Sequence, residues 1–173
     1  IDAVTFIVNN KNSRTSISMK ELELILKGNE STTKLVFDNS SSSNLNSMLH
    51  KFNIVDVDKT NIFAAKGTLD VFDYVKKNET AIGIIGLNWI SDVDDKNAMA
   101  LKNRVKVLGI QKGDMVIYPT TTTMKDQTYP FTKVIYLHTT QRGWGVSDLQ
   151  RRRDQNSTGA CLGIPQHPSC CVD

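Results

Sequence analysis

Cysteine is missing from the first 160 residues of this 173-residue chain; Cys161, Cys170 and Cys171 all fall near the end. A disulfide framework therefore cannot hold the body together, which fits an extracytoplasmic protein that needs none. Adjacent cysteines at 170 and 171 make a poor zinc pair on their own, and no CxxC or HExxH spacing occurs. No stretch approaches the ~20 apolar residues of a membrane span. GxSxG and GxxxxGK[ST] are absent, which removes the usual serine-hydrolase elbow and the P-loop. The three histidines, His50, His138 and His167, are far apart and read as surface or packing residues. Asp92, Asp94 and Asp95 lack the glycine and terminal glutamate of an EF-hand loop and read as a solvated acidic turn. Basic excess is slight. Net charge is +3, and much of it sits in Arg151, Arg152 and Arg153. The remainder is near neutral and gives no electrostatic case for nucleic acid.

What is present is ordinary for a globular α/β domain. Hydrophobic residues make up 39% and charged residues 23%, in a chain long enough for one domain with a real core. It starts at Ile1 without methionine or signal sequence and reads as a fragment or a processed chain. AVTFIV over 3–8 is a buried strand, and TKLVF over 33–37 a second. Ser16 is placed to cap a helix over SMKELELILKG, with Leu22, Leu24, Ile25 and Leu26 inward and Gly28 as its stop. Thr68 to Lys77 is a helix with Leu69, Phe72 and Val75 on one side. AIGIIG over 81–86 and VKVLGI over 105–110 are strands, and VIYP and FTKVIYL complete the body. Strands alternating with helices predict an α/β layer architecture, a central and mostly parallel sheet flanked by helices. From Ser147 onward no period is visible, and 147–173 reads as a disordered or poorly packed tail.

The segment VFDNSSSSNLNSMLHKF is the most informative. A short strand runs into four serines, and Leu45, Met48, Leu49 and Phe52 then recur at helical spacing. A strand, a serine-rich turn and a helix together make an anion site. The first N–H groups of a helix lack internal partners, and the dipole adds about half a positive charge there. Small residues let an oxyanion approach, and hydroxyls add donors. Ser41, Ser42, Ser43 and Asn44 are the candidate ligands. Asp38, at the strand end, either orients the turn by accepting main-chain N–H bonds or repels an anion. The same residues also suit a plain helix cap.

VFDNSSSSNLNSML, NIFAAKGTLDVFDYVKKNETAIGIIGLNWISD and QTYPFTKVIYL together resemble the PstS-like phosphate-binding proteins of bacterial phosphate ABC transporters, in their Bacteroidetes form. The resemblance covers about Ala3 to Gly145. It implies the second lobe of a two-lobed periplasmic binding protein, residues 1–146, with crossings near Ile1 to Val8 and Phe131 to His138. It implies inorganic phosphate or a related oxyanion held in an interlobe cleft, with Ser42, Ser43 and Asn44 as this lobe's contribution. An ABC permease is the implied partner, the cell envelope (periplasmic or lipid-anchored) the implied location, and no cofactor or enzymatic step is implied. The chain departs from the family where Asn44 stands for a frequent threonine and Asn46 for an arginine that would add a bidentate contact. After Gly145 the family pattern stops, as a shifted reading frame or an appended tail would make it do.

Two functional readings follow. The first is a solute-binding module for phosphate. The second is a degenerate lobe serving as a sensory or adhesion domain without tight anion binding, which Asn44 and Asn46 favour.

Overall fold

The computed structural model describes residues 1–29, 32–55 and 57–135, all within one unit, Ile1–Ile135. The expected tail at 147–173, the far end of the second crossing, and His138 and His167 lie outside the described residues. In chain order the elements are β1 (Asp2–Asn9), β2 (Ser16–Ser18), α1 (Met19–Leu26), β3 (Leu35–Phe37), α2 (Ser43–Phe52), a 3₁₀ turn (Lys59–Asn61), β4 (Ile62–Ala64), α3 (Thr68–Lys77) and β5 (Ile82–Gly86). They continue with α4 (Asn88–Ser91), α5 (Lys96–Asn103), β6 (Val105–Lys112), β7 (Met115–Ile117), α6 (Thr121–Lys125) and β8 (Thr132–Lys133).

The sheet runs β2-β6-β1-β5-β3-β4, with β7 added to β6 and β8 to β1. Every residue of β1 and β5 is buried. That is why both read as continuous apolar runs rather than as alternating strands. The α/β architecture with flanking helices is as expected, but the parallel majority is not. β3 pairs in parallel with β4 and β5, and β2 with β6. β1, however, is antiparallel to β5, β6 and β8, and β7 is antiparallel to β6. An apolar run sets burial, not direction, so the sequence pattern could not tell the two arrangements apart.

The core gathers Phe6, Phe37, Phe72, Tyr129 and the aliphatic side chains of β1, β3 and β5, all at 0–1% exposure. Each such side chain contributes roughly 1.5–3 kcal/mol when fully buried. Two local expectations need correction. The cap of α1 is Ser18, whose Oγ accepts from the Glu21 N–H at 3.1 Å. Ser16 instead lies in β2, paired with Gly109 of β6, because Ile17 is buried in the strand. In α3 the inward residues are Val71, Phe72 and Val75, while Leu69 is 56% exposed. Val71 and Val75 are one turn apart and Phe72 lies beside them, so the buried stripe leaves Leu69 on the far side.

Candidate functional site

Three parallel strands end at the same edge of the sheet, and each feeds a helix: β3 into α2, β4 into α3 and β5 into α4. Ligands of open α/β sheets gather at such carboxyl edges. β1 begins at this edge, because it runs against β5 with Val4 opposite Gly86. β8 ends there too, pairing Lys133 with Asp2 and Thr132 with Ala3.

The serine turn is built mostly by Asn39. Its side-chain Oδ1 accepts from Ser41 N–H at 2.8 Å, and its carbonyl accepts from Ser42 N–H at 3.3 Å. Asp38 therefore does not orient the turn. Its Oδ1 is buried and has no hydrogen-bond partner among the described residues. Ser42 is fully buried and is the N-cap of α2, its Oγ accepting from Asn44 N–H at 3.3 Å. Its carbonyl takes the first intrahelical bond, from Asn46 N–H at 3.0 Å. Among the described residues, the amides of Ser43 and Leu45 have no partner, as expected in the first turn. The ten residues of α2 carry no acidic group in that turn. Its positive end is thus uncompensated from within.

The four predicted ligands divide into two pairs. Ser41 and Ser43 face solvent, with their hydroxyls free to donate. Ser42 and Asn44 are buried, at 0% and 5% exposure. Ser42 is first of all a cap. Asn44 points its Oδ1 at Lys133, whose Nζ donates to it at 2.6 Å. Asn46 is exposed and borders a groove of about 530 Å³ with His50, Lys51 and Lys133.

Lys133, Asp2 and Asn88 were not predicted as site residues. Lys133 Nζ lies 3.8 Å from Asp2 Oδ2, and Asp2 Oδ1 accepts from Asn88 N–H at 3.2 Å. Gly86 leaves room for this carboxylate. A Cβ there would fall 2.8 Å from Asp2 Oδ2 and 2.4 Å from Asn88 Oδ1, so any side chain would displace both. Asp2, Asn44, Asn88 and Lys133 are brought together from sites as far as 131 positions apart, by the β1–β8 and β1–β5 pairings. The one sequence signal was the TYP-F-T-K segment, read as a return strand and not as a source of charge. The acidic turn behaves as expected. Asp92 Oδ1 accepts from the amides of Asp94 and Asp95, and Asp95 caps α5 through Asn97 N–H at 2.8 Å.

The PBP superfamily domain model matches residues 1–150 of the sequence. The chain belongs to the PBP superfamily. Solved structures with the same fold include PstS from Borrelia burgdorferi, at 22% identity and a TM-score of 0.57, covering 75% of this chain and 54% of that one. An ABC-type phosphate transport receptor from Vibrio cholerae matches at 22% identity with a TM-score of 0.56, over 75% and 52% of the two chains. A putative phosphate ABC transporter substrate-binding protein with bound phosphate, from Clostridium perfringens, matches at 13% identity with a TM-score of 0.58, again over 75% and 52%. This PBP superfamily chain spans about half the length of the structures it matches. No curated protein matches it. The fold implied by the sequence resemblance is therefore the one found, and the family shown is the PBP superfamily.

Proposed function

We propose that this domain is one lobe of the substrate-binding component of a phosphate ABC transporter, and that it holds inorganic phosphate at the N-terminus of α2. The observation that carries the reading is the combination at that terminus: unpartnered amides at Ser43 and Leu45, exposed hydroxyls at Ser41 and Ser43, and a lysine beside Asn44. Main-chain and hydroxyl donors converge at the N-terminus of α2, on the carboxyl edge of the sheet, where a tetrahedral oxyanion with four acceptor oxygens finds partners. Two of the structural relatives are named for phosphate transport, one of them with bound phosphate, which favours phosphate as the anion.

The mechanism breaks no bonds. Ser41, Ser43 and Asn44 donate to phosphate oxygens, Ser42 holds the turn, and a second lobe closes over the anion and buries it. A protonated phosphate can donate to a carboxylate on that lobe. Sulfate cannot, and would leave the acceptor unpaired. Delivery to an ABC permease outside the cytoplasmic membrane, from a periplasmic or lipid-anchored position, completes the role. One lobe holds only part of the donor set, so this chain should bind phosphate no more tightly than about millimolar, or ~4 kcal/mol.

The test is an amide NMR titration of the chain with phosphate, with sulfate at matched ionic strength as control. Saturable shifts at Ser41 to Leu45 with phosphate, much smaller with sulfate, support the reading. If neither anion moves these resonances, the serine run is only a helix cap. The interaction-domain reading then takes its place.

A further inference from the structure

We propose that Lys133 is a positioning residue that makes Asn44 an obligate hydrogen-bond donor toward the anion. The inference deepens the phosphate reading and rests on it. A primary amide is ambiguous: one end accepts, the other donates, and a half-turn about its last bond exchanges them. Next to an anion, the wrong orientation presents an oxygen lone pair to negative charge. Asn44 is 95% removed from solvent, so it cannot rely on water to settle the choice. Lys133 settles it. An ammonium has three donors and no acceptor, so the amide end 2.6 Å from Nζ must be Oδ1. The Nδ2 group is left as the free end, and it donates no bond among the described residues.

Lys133 is held for this task. Its side chain is 19% exposed and its charge is matched by Asp2 Oδ2 at 3.8 Å, beyond hydrogen-bond reach. Asp2 is anchored in turn by Asn88 N–H. Both ends of the bridge are fixed by backbone pairing, since Asp2 and Lys133 are register partners of β1 and β8. Asp2 holds Lys133 by charge, and among the described residues the hydrogen bond that Nζ makes is to the Asn44 amide.

Four forms of the 173-residue chain test this: the parent, Lys133→Met, Lys133→Arg and Asn44→Asp. Phosphate is titrated while the main-chain amides of Ser43 and Leu45 and the side-chain NH₂ of residue 44 are followed by NMR, with melting curves for each form. The proposal expects the Asn44 NH₂ signals to respond to phosphate in the parent and in Lys133→Arg. In Lys133→Met they should cease to respond, with affinity down about tenfold, as expected for a lost charge-assisted arrangement. Asn44→Asp keeps an acceptor for Lys133, so it should melt no lower than the parent, yet bind phosphate at least tenfold more weakly because the donor is gone. If the parent responds at Ser43 and Leu45 but Lys133→Met and Asn44→Asp bind equally well, the positioning role is wrong and the phosphate site stands. If the parent itself shows no response, the phosphate reading falls and this inference with it.

Discussion

Replacing Tyr129 by phenylalanine removes one oxygen from the core and leaves the ring. Tyr129 is 1% exposed, and its hydroxyl donates to the carbonyl of Val4 at 2.8 Å across 125 residues of sequence. The ring packs edge-on to Phe131, with centroids 6.5 Å apart, and Phe131 meets Phe6 at 5.4 Å. Those contacts survive the substitution, so the change isolates the hydrogen bond. A buried neutral bond of this kind is worth about 1 kcal/mol net, and an acceptor left dry adds to the loss, so we expect about 1–2 kcal/mol. For a unit of this size each kcal/mol corresponds to roughly 3–5 °C in Tm. Urea unfolding should show a lower midpoint with an unchanged slope.

A second signature follows from burial, which pushes the phenol pKa far above its usual value. The folded state therefore keeps the proton while the unfolded chain releases it near pH 10. A group whose folded pKa is raised contributes stability that is fully present below the unfolded pKa and is lost as pH rises beyond it. The parent should thus lose stability above about pH 10 faster than Tyr129→Phe does. Their difference should shrink with rising pH. The assay is urea unfolding of both proteins from pH 7 to 11. Equal midpoints at pH 7 together with a constant difference above pH 10 would refute the assignment of Tyr129 as a buried, bonded phenol.

Thr5 is fully buried in β1, and its Oγ1 has no partner among the described residues. Thr5→Val should therefore raise stability by about 1 kcal/mol, read as a higher urea midpoint. Gly83→Ala should lower it by roughly 1–3 kcal/mol through overpacking. The added Cβ would fall 2.7 to 2.9 Å from side-chain carbons of Val71, Val75 and Ile7, at the seam of α3 and the sheet. Ser42→Ala removes the α2 cap and should cost about 1 kcal/mol by thermal melting. It should also blunt the phosphate response of the Ser43 and Leu45 amides, because the first turn loses its anchor.

Local order was legible where it rested on local chemistry. α2 begins where the serine run places it, and α3 spans Thr68–Lys77 as its apolar spacing predicts. The strands around Phe6, Val36 and Ile84 follow from unbroken apolar runs. Strand direction was not legible, and neither was β2, because a three-residue strand such as Ser16–Ser18 depends on an open edge of β6 far along the chain. α4, α5 and α6 were missed because they are short and carry few buried residues, and tertiary contact rather than periodicity decides such pieces. The candidate site divides the same way. Ser41 to Asn44 declare themselves within one turn of helix. Lys133 and Asp2 do not, because a lysine in a strand and an aspartate before one carry no mark of what the fold will set beside them.

The pairing of β1 with β8 has a consequence for modularity. The first and last strands of the unit lie side by side, with Asp2 of β1 and Lys133 of β8 as register partners. A segment whose ends are neighbours closes its own loop, so grafting it into a host costs little chain entropy beyond that of a short gap. Such a body can be lifted out, permuted or spliced into another scaffold as a cassette, with only two backbone connections to rejoin.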